Sequence, residues 1–133
     1  MNGDPTTITW SIVPDGTGIP GDPSSDLISA FDFAFGDGPG GSDLTQRPWF
    51  TYFQQGMERW GELSGLTYVY EPNDDGVNNF GANGILGVRG DVRIGGSNQD
   101  GPGSVLAFNA FPNGGDMSLD TGDIANYLSL IHI

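Results

Sequence analysis

The run Asp100-Gly-Pro-Gly-Ser-Val-Leu-Ala-Phe-Asn-Ala-Phe-Pro-Asn-Gly-Gly-Asp-Met-Ser-Leu-Asp-Thr-Gly-Asp123 sets the reading of the whole chain. It holds a glycine-rich loop, an apolar strand expected over 105–111, a turn over 112–115 and a short strand over 117–119 that leads to Asp120 and Asp123. Glycine reaches positive φ at little cost, so such a loop can turn its carbonyl oxygens inward. Carbonyl and carboxylate oxygens are the donors a hard cation such as calcium prefers. One half of a calcium site would then be Asp100 with the carbonyls of Gly101, Gly103 and Val105, and the other half Asp120 and Asp123. The same residue types also suit ordinary turns with solvated carboxylates. The spacing is not that of an EF-hand loop.

Upstream, residues 6–13 alternate Ile8, Trp10 and Ile12 with polar neighbours, the pattern of a half-buried strand. A turn-rich connection follows over 14–23. Ser24 and Ser25 are candidate N-caps, and Asp26 suits a first helical turn. Leu27, Ile28, Phe31 and Phe35 then lie on one helical face, and the glycines of 36–41 end that helix. A second helix is expected to begin at 45–48, with Pro48 near its first turn. Its predicted buried stripe is Phe50, Phe53, Met57 and Trp60, and Ser64-Gly65 stops it. Residues 66–70 read as a strand, 73–76 as a polar turn, 79–87 as a loop and 90–95 as a strand with Val92 and Ile94 on one face. The order β-α-α-β-β-β-β predicts an α+β fold, a twisted, mostly parallel or mixed sheet of about five strands with two helices on one face. Residues 1–127 read as one domain without internal repeats.

The composition narrows the function classes. Glycine and proline together make 23 + 9 = 32 residues, near the level at which disorder competes with folding, but 15 aromatic residues supply a core. The net charge is −13, with no lysine and four arginines, which excludes a nucleic-acid partner and disfavours anionic membranes. No cysteine is present, so disulfides and thiolate catalysis are excluded. No apolar run approaches the roughly 20 residues of a membrane span. Residues 1–20 carry no basic n-region or apolar h-region of a signal peptide. His132 is the only histidine, so the sequence holds no histidine cluster for catalytic zinc. Nothing matches Gly-x-Ser-x-Gly, and no glycine-rich stretch carries the Lys-Ser/Thr of a phosphate loop.

The quoted run resembles the matrixin metalloproteases, which contain Asp-Gly-Pro-Gly-x-Val-Leu-Ala-His-Ala-x-Ala-Pro and then Gly-Asp-x-His-Phe-Asp-x-x-Glu. Residues 100–107 agree apart from the variable position, and Gly115-Asp-Met-Ser-Leu-Asp-Thr-Gly-Asp123 follows in order. Looser similarity to the family's first strand, first long helix and second strand extends it over residues 6–123. The resemblance implies a metzincin-like amino-terminal subdomain of a secreted, extracellular zinc metalloendopeptidase. It carries over calcium binding by Asp100, Gly101, Gly103, Val105, Asp120 and Asp123, the last standing where the family has Glu. A second calcium would use Asp91, Gly114 and Asp116. Leu106 and Ala107 would lie on a sheet edge that pairs with an extended peptide or protein substrate, the chain itself being monomeric. The family's structural zinc is held partly by histidines at the places of Phe108 and Ser118, so loss of that zinc is expected here.

In the family the next element is a helix bearing His-Glu-x-x-His, whose histidines grip zinc while the Glu activates water. That helix is missing from these residues, which are expected to lack peptidase activity of their own. Residues 128–133, Leu-Ser-Leu-Ile-His-Ile, read as a translated sequencing adapter, which would remove His132 from the candidate ligands. The alternative reading is a secreted, acidic calcium-binding adhesion or structural module without enzymatic activity.

Overall fold

A computed structural model of the chain describes residues 6–80, 82–99, 107–109 and 116–123, with Phe108 and Asp123 described by backbone alone. The expectations on Asp100, Gly101, Gly103, Val105, Leu106, Gly114 and residues 128–133 lie outside them. The elements are β1 (Thr7–Ile12), α1 (Leu27–Phe35), a 3-10 turn (Leu44–Gln46), α2 (Phe50–Ser64), β2 (Thr67–Tyr70), β3 (Val92–Ser97), β4 (Ala107–Asn109), β5 (Met117–Asp120) and a 3-10 turn (Thr121–Asp123). The fold is α+β. The sheet order is β2-β1-β3-β5-β4; the first four strands run parallel and β4 is antiparallel to β5.

The alternation in β1 decides which face is buried by what. Trp10 and Ile12 pair in register with Val92 and Ile94, so these side chains share a face. Against it pack Leu27 and Phe31 of α1, and Trp49 and Phe50 where α2 begins. Trp10 stacks on Phe50 at 5.6 Å and meets Tyr70 at 4.8 Å. Both helices thus cover one side of the sheet. Each large apolar side chain fully buried there contributes roughly 1.5–3 kcal/mol. Asp32 of α1 joins the helices: its Oδ1 accepts from Trp49 Nε1 at 2.8 Å and Arg47 Nε at 3.0 Å.

Three local expectations are corrected. First, α1 is not capped by Ser24 or Ser25. Ser25 Oγ accepts from the Gly96 amide, Asp26 occupies the cap position without a side-chain bond, and Asp15 caps the helix from the preceding loop. The Asp15 carboxylate accepts from the Ile28 and Ser29 amides at 3.1 and 3.0 Å. Asp15→Ala is therefore expected to cost about 1 kcal/mol, read from the urea unfolding midpoint. Second, 45–48 does not open α2. Leu44–Gln46 forms a separate 3-10 turn capped by Asp43, and the helix starts at Phe50. Third, Trp60 is 64 % exposed. At about 100° per residue the buried line running through Phe50 and Met57 continues to Gly61 rather than Trp60. A Cβ on Gly61 would stand 2.8 Å from the Leu66 carbonyl oxygen, so the helix needs glycine there to lie close to β2. Gly65, at φ 77°, ends α2 as expected.

Among the described residues, the connection from β2 to β3 contains no helix. It crosses the sheet on the side away from α1 and α2, where Ser11 and Arg93 point. Arg93 is fully buried there and holds Asp74 of the connection through two bonds, Nε–Oδ2 at 2.9 Å and Nη2–Oδ1 at 2.7 Å. Ser11 Oγ donates to Asp74 Oδ2 at 2.7 Å, and Arg93 Nη1 to the Asn78 carbonyl at 3.2 Å. Asp75 pairs with Arg89 at 2.6 Å. Burial alone would raise the pKa of Asp74, but the Arg93 guanidinium, the Ser11 hydroxyl and the Gly76 amide outweigh it and hold it below the usual carboxylate range.

Candidate metal centre

The predicted ligands on β5 are placed by its pairing with β3. Ile94, Gly95, Gly96 and Ser97 stand opposite Met117, Ser118, Leu119 and Asp120. Leu119 packs toward the helices, so alternation sends Ser118 and Asp120 to the other face, where both are fully buried. The Asp120 carboxylate accepts from the Gly122 amide at 2.8 Å and the Gln99 amide at 3.2 Å. Gln99 immediately precedes Asp100. Its side chain reaches the same strand, Nε2 donating to Ser118 Oγ at 2.8 Å. The entrance to the glycine-rich loop is thus fastened to β5 beside Asp120. The 3-10 turn that follows β5 runs over Thr121–Asp123.

Ser97, the register partner of Asp120, has a buried hydroxyl for which no hydrogen-bond partner is found among the described residues. A buried polar atom in that state calls for a water or an ion. The donors present are oxygens and the charge is negative, which fits calcium. Among the described residues no three acidic, histidine or cysteine side chains gather in one group; of the six first-site ligands, only the Asp120 side chain is described. Zinc does not fit the described donors. Phe108 and Ser118 are direct cross-strand partners in the antiparallel β4–β5 pair, and neither side chain is a zinc ligand. The Ser118 hydroxyl is engaged by Gln99.

The described members of the second predicted site are tied to different partners. Asp91 Oδ2 accepts from the Thr9 amide at 3.0 Å and its hydroxyl at 3.1 Å, which fixes it to β1. Asp116 is buried, its Oδ2 accepting from the Phe80 amide at 2.9 Å and its Oδ1 from the Arg93 amide at 3.1 Å. Burial pushes the pKa of Asp116 up, against those amides and the Arg93 charge. Phe80 takes a left-handed φ of 65°, a conformation held in part by the Asp116 bond.

Ala107 lies on β4, the edge of the sheet. Among the described residues no strand pairs with the far side of β4. Sequence reasoning missed the Ser11–Asp74–Arg93 cluster, because an arginine between Val92 and Ile94 carries the same signal as a solvent-facing strand position. Among the described residues no helix is long and apolar enough to cross a membrane. Set against protein-family models, curated proteins and solved structures, the chain matches none of them.

Proposed function

We propose that the chain is the amino-terminal part of the catalytic domain of a matrixin-like, secreted zinc endopeptidase, and that this part holds calcium and offers β4 to a peptide substrate. The observation that carries the reading is the buried Asp120 carboxylate fastened to Gln99, which draws the residue before Asp100 to the end of β5. Two further observations support it. Ala107 stands on the sheet edge, where an extended peptide can add as a further strand through main-chain bonds. The two places at which the resemblance puts zinc histidines, Phe108 and Ser118, face each other across β4 and β5.

In this reading Asp120 and Asp123 with the loop at 100–105 hold the calcium, and the ion fixes the loop beneath the substrate edge. Hydrolysis belongs to a zinc-activated water in the longer protein. His132 is the only histidine here, so the histidines that would hold that zinc belong to the rest of the longer protein. Reading the gene beyond the codon for residue 127, in place of the adapter-like 128–133, tests the proposal. A helix with His-Glu-x-x-His is the expected result. A stop codon or a repeat array would overturn it in favour of the acidic calcium-binding module.

A further inference from the structure

We propose that the Ser97 hydroxyl is a further ligand of the ion held by Asp120, a proposal that rests on the calcium reading above and adds a donor to it. Ser97 ends β3 and Asp120 ends β5, and the two are register partners in neighbouring parallel strands. Alternation along β3 fixes where the hydroxyl points. Ile94 packs into the core under the helices, and a Cβ on Gly96 would stand 3.1 Å from Leu27 Cδ1 of α1, so Gly95 and Ser97 face the other way. Asp120 faces that way too, since Leu119 before it packs toward the helices. Both Ser97 and Asp120 are fully buried.

No hydrogen-bond partner of Ser97 Oγ is found among the described residues, and the hydroxyl does not donate to the neighbouring Asp120 carboxylate. Such a bond would be charge-assisted and strong, so its absence calls for a reason. An ion between the two supplies one. Calcium–oxygen distances of about 2.3–2.6 Å let two of its ligands stand as far as about 5 Å apart, beyond hydrogen-bond reach. A hydroxyl oxygen has two lone pairs and can give one to the ion. The amides of Gln99 and Gly122 fix Asp120 Oδ1 without neutralising the carboxylate. Ser97 also stands three positions before Asp100, the first loop residue assigned to the ion, and Gln99 between them is bonded to Asp120 and Ser118. The ends of β3 and β5 and the start of the loop therefore meet at one place. Asn79 Oδ1 is a second buried oxygen in the same condition as Ser97 Oγ. The Asn79 amide lies against Gly95, two positions back on the same face, its Nδ2 3.1 Å from where a Cβ would stand. A water bound to these oxygens is the competing occupant.

Wild type and Ser97→Ala, each as the whole chain, are titrated with calcium chloride by isothermal calorimetry and melted in chelator. The variant is expected to bind calcium about tenfold or more weakly, at least the loss that follows removal of an outer-shell partner of a metal. In chelator it is expected to melt at or above the wild-type temperature, because the hydroxyl it lacks is buried without a bond. Equal calcium affinities in the two proteins overturn the proposal and leave the calcium reading standing; a lower melting temperature of the variant in chelator then assigns the hydroxyl to a water. Weaker calcium binding joined to a clearly lower melting temperature in chelator makes the effect structural and overturns the proposal as well. No calcium binding by wild type overturns both readings.

Discussion

Asp74→Ala is expected to lower the unfolding free energy by about 3–5 kcal/mol, the cost of leaving a buried charge without its partner. Arg93 is fully buried and spends two of its nitrogens on Asp74, so removing the carboxylate strands a guanidinium inside the protein. The loss also frees the β2–β3 connection, which Asp74 anchors to Ser11 and to Arg93. Urea unfolding gives the number. A loss under about 1 kcal/mol, the scale of an exposed pair, would show that Arg93 has been taken up by another carboxylate. Asp116 is the candidate, since its carboxylate already accepts from the Arg93 amide. The double variant Asp74→Leu, Arg93→Met removes both charges together and is expected to recover most of the loss, because a buried pair replaced by apolar groups is often neutral.

The pair also sets an acid limit. The pKa of Asp74 is depressed in the folded chain, so its contribution is complete above the ordinary aspartate range and is lost as pH falls through the depressed value. Wild type is therefore expected to lose stability below about pH 4 more steeply than the double variant. Asp116 works in the opposite sense. Its pKa is raised, so the folded chain takes up that proton before the unfolded chain does, and its protonation favours folding as pH falls.

Calcium is expected to raise the melting temperature by roughly 10 °C at a hundredfold excess over Kd, which corresponds to about 2.7 kcal/mol. Asp120→Asn should abolish most of that rise. Asparagine keeps an oxygen for the Gln99 and Gly122 amides, so the local hydrogen bonds survive while the negative charge on the ion is lost. Melting the two proteins with calcium and with chelator gives the comparison. Equal calcium shifts in both would remove Asp120 from the site; no shift in wild type would remove the site.

Legibility in the sequence followed the range of the interactions. β1 was readable because Ile8, Trp10 and Ile12 announce a strand locally, and the end of α2 because Gly65 supplies a left-handed residue where the helix must stop. The interactions that crossed the chain were not readable. Asp15 caps a helix that begins 12 positions later, at Leu27, whereas the residues adjacent to the helix offer Ser24 and Ser25 as the local candidates. Asp74 falls in a polar turn and Arg93 on the face of its strand opposite Val92 and Ile94, and nothing within a few residues of either predicts their meeting. In the candidate centre, Asp120 is legible as an oxygen donor at the end of a short strand. Its burial comes from the β3–β5 register, which composition and spacing do not encode.

The position of β1 between β2 and β3 has a consequence for how the chain is made. Its partners Thr67 and Val92 are translated 60 and 82 residues after Thr7 and Trp10 respectively. While the ribosome works toward them, the first strand waits with both margins open and its tryptophan uncovered. Topologies closed by such distant pairings fold slowly and stay vulnerable to aggregation in the interval. β1 is thus enclosed only once the 82 positions that separate Trp10 from Val92 have been added.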